Sequence, residues 1–348
     1  MLEFFIETTF VAWYNKIINR RNPKGDDGMK QFVGVDIGGT KCAVSLGYMD
    51  GTDLKITKKE KTETPKGLAP ERVLEMLADM VSQIVSPEEI AAIGISCGGP
   101  LDSKRGVILS PPNLIGWDHV EITDFFEKRF HVPCALQNDA NACALAEWRF
   151  GAGRGTENMV FFTFGTGLGA GLILNGKLYS GTNDMAGEAG HIRLAEFGPS
   201  GYGKVGSFEG FCSGSGIAQL AKTKALEAFQ QGKQVSFCKN ADVLDSITAK
   251  GVADAANAGD ELALEIYRLC GTYLGRGLSV IIDILNPERI VIGSIYTRCE
   301  HLLKDACEQV IKKECLPHTA SVCEIVPAEL SEQIGDYAAL AVAVDATN

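Results

Sequence analysis

Asp36-Ile37-Gly38-Gly39-Thr40-Lys41 and, far downstream, Gly165-Thr166-Gly167-Leu168-Gly169 decide how this chain is read. An apolar strand over 32–37 runs into the first glycine turn, and the alternation of Cys42, Val44 and Leu46 predicts a second strand leaving it. The second turn lies between strands predicted over 159–164 and 170–174, in the same layout. A glycine-cornered hairpin that occurs twice marks an internally duplicated chain. Between the copies, periodicity predicts helices over 70–84, 122–130 and 140–150 and strands over 90–96 and 132–137. Beyond the second copy it predicts helices over 214–229, 261–284 and 336–346 and a strand over 289–292. Strands and helices alternate throughout, so two α/β lobes with a central cleft are expected.

The 348 residues are enough for two hydrophobic cores, and a formal charge of -11 argues against a nucleic-acid partner. Eleven cysteines, with no C-x-x-C pair among them, suit a reducing cytoplasm better than a disulfide framework or a zinc ribbon. No run of about 18 apolar residues predicts a membrane span. Within residues 1–28, Leu2, Ile6, Phe10, Trp13 and Ile17 recur at helical spacing, which predicts an amphipathic extension. The polar stretch 22–28 separates it from the fold, and Met29 reads as an alternative start.

Glycine lets backbone amides approach an anion with no Cβ in the way, so both turns suit phosphate. In the first, Gly38, Gly39, Thr40 and Lys41 are candidate phosphate contacts and Asp36 a candidate for magnesium, directly or through water; in the second, Thr166 and Gly167 are the contacts. Paired glycines also serve simply to turn a hairpin. Neither stretch is a P-loop, and neither has the G-x-G-x-x-G spacing of a dinucleotide fold. Phosphoryl transfer to an alcohol needs a carboxylate beside the attacking oxygen, and Asp139, at the end of a predicted strand, is the candidate base. The same residue type at a helix start is equally suited to an N-cap.

Taken in order, Asp36 to Lys41, Gly98-Gly99-Pro100-Leu101-Asp102, Pro112-Asn113-Leu114-Ile115-Gly116-Trp117, Asn138-Asp139-Ala140-Asn141, Gly165 to Gly169 and Gly187-Glu188-Ala189-Gly190-His191 resemble the ROK family (repressor, open reading frame, kinase) of sugar kinases. The resemblance runs from about residue 32 to 340. It implies the two-lobed actin-like ATPase (ribonuclease H-like) fold, with residues 29–137 and 328–348 in a small lobe and 138–327 in a large one. It further implies ATP and magnesium as cofactors, Asp139 as catalytic base, Asn113, Asn138, Glu188, His191 and Glu209 around the sugar, and Gly293 near the adenine. The implied activity is phosphorylation of a hexose or N-acetylhexosamine, glucose first, by a homodimer. The other readings are a sugar-binding sensor that has lost catalysis and a sugar-responsive repressor, for which the 28 residues before Met29 are too few to form a winged DNA-binding domain.

Two departures from the family pattern stand out. Where members carry three zinc-binding cysteines this chain has Ser200, Tyr202 and Ser207, so no zinc is expected, and Tyr202 and Phe208 are expected to pack in the metal's place. Where members have three glycines it has Gly293-Ser294-Ile295, which leaves nucleotide preference open.

Overall fold

The structure, a computed structural model, describes residues 30–347; the amphipathic extension and Met29 lie outside them. Strand β1 (Gln31–Ile37) turns at the first glycine pair into β2 (Lys41–Asp50), antiparallel, with Asp36 opposite Ala43 and Ile37 opposite Cys42. Strand β3 (Asp53–Glu63) extends the hairpin. On the other side of β1 lie β4 (Ile90–Cys97) and β5 (Cys134–Asn138), both parallel to it, giving the order β3-β2-β1-β4-β5. The second sheet repeats this plan with β6 (Met159–Phe164), β7 (Leu168–Leu174), β8 (Lys177–Leu178), β9 (Arg289–Ile292) and β10 (Glu324–Pro327) in the order β8-β7-β6-β9-β10. The duplication legible in the glycine turns is therefore a duplication of whole sheets.

Each sheet has an outer and an inner cover. Helices α1 (Pro70–Ile84) and α2 (Ile122–Phe130) bury Leu74, Leu77 and Phe126 with Val33, Val35 and Ile37 on the outer face of the first sheet. Burying side chains of this size stabilises by about 1.5–3 kcal/mol each. Helix α3 (Asp139–Phe150) follows β5 and lies between the two sheets. Helices α4 (Gly214–Gln230), α5 (Ala249–Asn257), α6 (Glu261–Leu285) and α7 (Ile295–Glu314) close the outer core of the second sheet around Phe162, Phe164 and Leu274. The last helix, α8 (Ile334–Asp345), returns to pack beside α3 against β1 and β4. No helix among the described residues is long and apolar enough to cross a membrane.

Glycines decide how closely the two central helices sit. A Cβ on Gly34 would lie 2.9 Å from the Leu340 nitrogen, and one on Gly94 would overlap the Ala339 carbonyl and the Ala343 nitrogen. In the second sheet a Cβ on Gly171 would lie 2.6 Å from the Ala144 Cβ and 2.7 Å from the Ala140 carbonyl oxygen. Both helices thus rest backbone to backbone on their sheets. They are also tied together: the fully buried Glu147 of α3 accepts hydrogen bonds from the Leu330 N–H at 2.9 Å and the Glu329 N–H at 3.2 Å, just ahead of α8, and from the Ala152 N–H at 2.8 Å.

Strands β3, β8 and β10 and helices α5 and α7 are additions to the elements predicted from sequence. In β3 the run Lys55-Ile56-Thr57-Lys58-Lys59-Glu60-Lys61 hides the strand period, because an edge strand leaves many positions in water. Helix α7 carries charges on most of its turns and buries only Tyr296, Cys299, Leu303, Cys307 and Ile311.

Gly94→Ala is expected to lower folding stability by about 1–3 kcal/mol, the usual cost of overpacking, with hydrogen exchange of α8 accelerated most. Unaltered urea unfolding would show that α8 does not rest on the β4 backbone in solution.

Candidate active site

The first turn is held from beneath. The Gly38 N–H donates to the Lys41 carbonyl at 3.0 Å, the Thr64 hydroxyl to the Gly38 carbonyl at 2.5 Å, and the Thr64 N–H to the Thr40 carbonyl at 2.9 Å. Gly39 is required by a close approach: a Cβ there would stand 2.6 Å from the Asn113 carbonyl oxygen. The loop carrying exposed Asn113 is pinned by buried Leu114 and Trp117, so Asn113 is brought against the turn. Thr40 and Lys41 are exposed at its tip.

The second turn has a matching frame. The Gly165 N–H donates to the Gly167 carbonyl at 3.0 Å, and the Gly214 and Ser215 N–H groups opening α4 donate to the Gly165 and Thr166 carbonyls at 2.8 and 3.4 Å. The N-terminus of α4 therefore lies beside this turn, capped by the Ser213 hydroxyl on the Gly216 N–H at 2.9 Å. Ser213-Gly214-Ser215 was not among the sequence candidates, although Ser before a helical run is a legible N-cap signal.

Asp139 is the first residue of α3. The cap itself is Asn138, whose side-chain oxygen accepts from the Asn141 N–H at 2.8 Å. The helix is thus capped one residue earlier, and Asp139, exposed at the first helical position, accepts the Ala140 N–H on its carboxylate at 2.8 Å. The protein around this recess displaces water and pushes its carboxyl above the usual range, against the pull of the Ala140 amide. Asp36, at the end of β1, is pushed up to about 6, chiefly by burial and then by repulsion from Asp139. Lys59 and Lys61 oppose that shift from β3. Lys61, Ala43 and Asp36 are successive cross-strand partners, so the small Ala43 leaves the inner face open between cation and carboxylate.

Glu188 and His191 occupy one short turn, Glu188–His191, after β8. Burial raises the Glu188 carboxyl, the His191 ring lowers it, and Glu209 and Asp139 raise it further, so these four groups share one field. The turn is seated by glycines: Gly187 at φ 92 lies against the Ala170 carbonyl and Gly190 against the Leu168 carbonyl of β7. Glu209 accepts the Leu168 N–H at 3.0 Å, which joins it to the second glycine turn. Gly293 donates its N–H to the Phe162 carbonyl at 2.9 Å beside the same hairpin. Ser294 takes φ 60, in the region that favours glycine. Its hydroxyl lies 3.7 Å from where a Cβ on Gly165 would be and accepts from the Arg298 guanidinium at 3.4 Å.

The stretch 199–210 is tied to its surroundings by several hydrogen bonds. Gln219 brackets Ser200, accepting its N–H and donating to its carbonyl, each at 2.9 Å. Arg193 donates to the Val205 carbonyl at 2.6 Å and Lys204 to the His191 carbonyl at 2.7 Å. Phe208 is fully buried against Phe162, with ring centroids 5.8 Å apart. Tyr202 is not: it is 84 % exposed at φ 44 on the tip of the Ser200–Val205 hairpin, because a side chain on a left-handed tip residue points away from the core. The donor set does not fit zinc, since Ser200, Tyr202 and Ser207 offer hydroxyls and the Ser207 hydroxyl is engaged by the Gly210 N–H at 3.0 Å.

Set beside known proteins, residues 32–346 match the family model described as the ROK family. The glucokinase of Thermotoga maritima is 32% identical over 88% of this chain and 94% of its own. The crystal structure of a ROK family glucokinase from Streptomyces griseus, in complex with glucose and AMPPNP, superposes with a TM-score of 0.69 at 30% identity, covering 90% of this chain and 99% of that one. The DNA-binding transcriptional dual regulator NagC of Escherichia coli is 32% identical over 72% of this chain and 60% of its own length. The two lobes have the actin-like ATPase arrangement of ROK sugar kinases. In sequence and in fold alike, the chain belongs to the ROK family.

Proposed function

We propose that the protein transfers the γ-phosphoryl group of ATP to a hydroxyl of a hexose, with glucose the first candidate. The observation that carries this reading is the meeting in one cleft of Asp139, Asp36 and the group Glu188, His191 and Glu209, next to both glycine turns. Similarity over most of the chain to curated glucokinases supports it. In this reading the turns at Gly38 to Lys41 and at Thr166 and Gly167 hold the phosphates through backbone amides, with Gly293 toward the base. Asn113, Asn138, Glu188, His191 and Glu209 orient the sugar, whose hydroxyls each need a partner once buried. Asp139 takes the hydroxyl proton while the sugar oxygen bonds to the γ-phosphorus and the bond to the β,γ-bridging oxygen breaks, leaving sugar phosphate and ADP. Asp36 and Asp139 repel each other in a confined space, a donor set that fits a cation; magnesium bound at Asp36 would neutralise phosphate charge.

Asp139→Asn is expected to cut turnover about 10²–10⁴-fold with sugar binding largely kept, read as ADP release across a panel of neutral hexoses and N-acetylhexosamines. Near-normal turnover would remove Asp139 from the base role; no stimulation by any sugar, with binding intact, would favour the sensor. The cleft also predicts a pH dependence. Because the Asp36 carboxyl is raised to about 6, it is neutral below that pH and charged above it. Magnesium needs the charged form, so its apparent affinity should weaken about 10-fold per pH unit on going down from 6 and level off above it. A magnesium requirement that stays flat between pH 5 and 7 would rule this out. Elemental analysis of the purified protein should show no stoichiometric zinc.

A further inference from the structure

The sugar end of the cleft carries a contact between the lobes that the mechanism above does not use. After β8, residues 180–187 lead into the Glu188–His191 turn. Asp184 in this segment is only 7% exposed, although its neighbours Asn183 and Met185 are both exposed. Its carboxylate is covered by the other lobe. The Ser103 N–H donates to one carboxylate oxygen at 2.8 Å and the Ser103 hydroxyl to the other at 2.6 Å. Ser103 follows the short strand Leu101–Asp102, which the stretch Gly98-Gly99-Pro100 connects to the end of β4. Hydrogen bonds to an ionised acceptor are about twice as strong as neutral ones, and two from one residue also fix direction. The backbone of Asp184 is at φ 60, a conformation that Asp and Asn tolerate better than other side-chain-bearing residues.

Little slack separates this contact from the sugar pocket. The Ala186 N–H donates to the Ser180 carbonyl at 3.0 Å, closing the loop on itself. Immediately afterwards Gly187 is locked against the Ala170 carbonyl, and Glu188 follows. A shift of the Ser103 loop therefore reaches Glu188 through a short, doubly anchored segment. We propose that Asp184 is a positioning residue: by clasping Ser103 it joins the sugar-orienting turn of one lobe to the other lobe, so that the pocket is complete only when the lobes are drawn together at this end. This rests on the assignment of Glu188 and His191 to the sugar. Sugar binding then favours the closed cleft, while nucleotide contacts at the two glycine turns do not depend on the clasp.

Asp184→Asn keeps the shape and the left-handed backbone but removes the charge, and its amide can pair with Ser103 only by turning that hydroxyl from donor to acceptor; Ser103→Ala removes the hydroxyl from the other side. Each is expected to raise the glucose KM, about 10-fold or more for Asp184→Asn, with the ATP KM changed less than about twofold and the thermal midpoint little altered. The double variant should be no worse than Asp184→Asn alone, since the two act through one contact. Equal changes in both KM values, or additive effects of the two substitutions, would overturn the clasp. Glu188→Gln measured alongside separates the two levels. If it raises the glucose KM while Asp184→Asn and Ser103→Ala do not, the clasp fails and the pocket assignment stands; if it leaves the glucose KM unchanged, the assignment falls and the clasp with it.

Discussion

Everything at the active site depends on two helices lying at backbone distance on two sheets. Because Gly34 and Gly94 offer α8 no side chain, and Gly171 offers α3 none, each helix sinks until its backbone meets the strands. Helix α3 begins at Asp139, so its depth on β7 determines where that carboxylate stands relative to the end of β1 and Asp36. Glu147 holds the arrangement from the far end of α3 by accepting three backbone N–H groups, two of them just before α8. A buried carboxylate left without those donors would cost several kcal/mol, so the loop entering α8 and the helix carrying Asp139 are ordered together. The link runs from glycine content to helix depth to the separation of two acids.

That separation creates an electrostatic problem whose solution is the chemistry. Asp36, Asp139, Glu188 and Glu209 share one cleft in a chain of net charge -11. Burial raises Asp36, Asp139 and Glu188 above their ordinary range, repulsion from neighbouring acids adds to it for Asp36 and Glu188, and the His191 ring beside Glu188 and Lys59 and Lys61 toward Asp36 act against it. Lys59 also pairs with Asp336 at the start of α8 and is itself pushed down to about 8, chiefly by burial and then by crowding from Lys61. Such a field favours cations beside Asp36 and hydroxyl donors beside Glu188. An acid with a raised pKa is also a better proton acceptor once ionised, which suits Asp139 to a hydroxyl.

How much of this was legible in the sequence follows from how local each feature is. A glycine turn between two apolar strands is local, so both hairpins and the duplication they imply could be read directly. Asn138-Asp139 was legible as a helix start but not as to which residue caps it, because that depends on one backbone angle. Strand β3 was hidden by its lysines, and α7 by its charges. Asp184 and Glu147 gave no signal: each is an ordinary acid in sequence, and its partners lie 81 residues away for Asp184 and up to 183 for Glu147. Tyr202 shows the reverse error, an aromatic credited with a packing role that its exposed tip position denies it.

The loop around Tyr202 shows how an apolar core can fix the position of a polar side chain. The residue of this region proposed to meet the sugar, Glu209, sits in the single turn Phe208–Phe211. That turn is fixed on one side by Phe208 and Phe211, both buried in the core of the second lobe, and at its start by the Ser207 cap on Gly210. The neighbouring hairpin is closed by Gln219 on Ser200 and by the Gly206 N–H on the Pro199 carbonyl at 2.9 Å. Burial of two aromatic rings is worth several kcal/mol, more than the cap contributes, so the position of Glu209 is set mainly by the core. Serine at 207 therefore has a structural part of its own: its hydroxyl is the cap that starts the turn bearing the carboxylate.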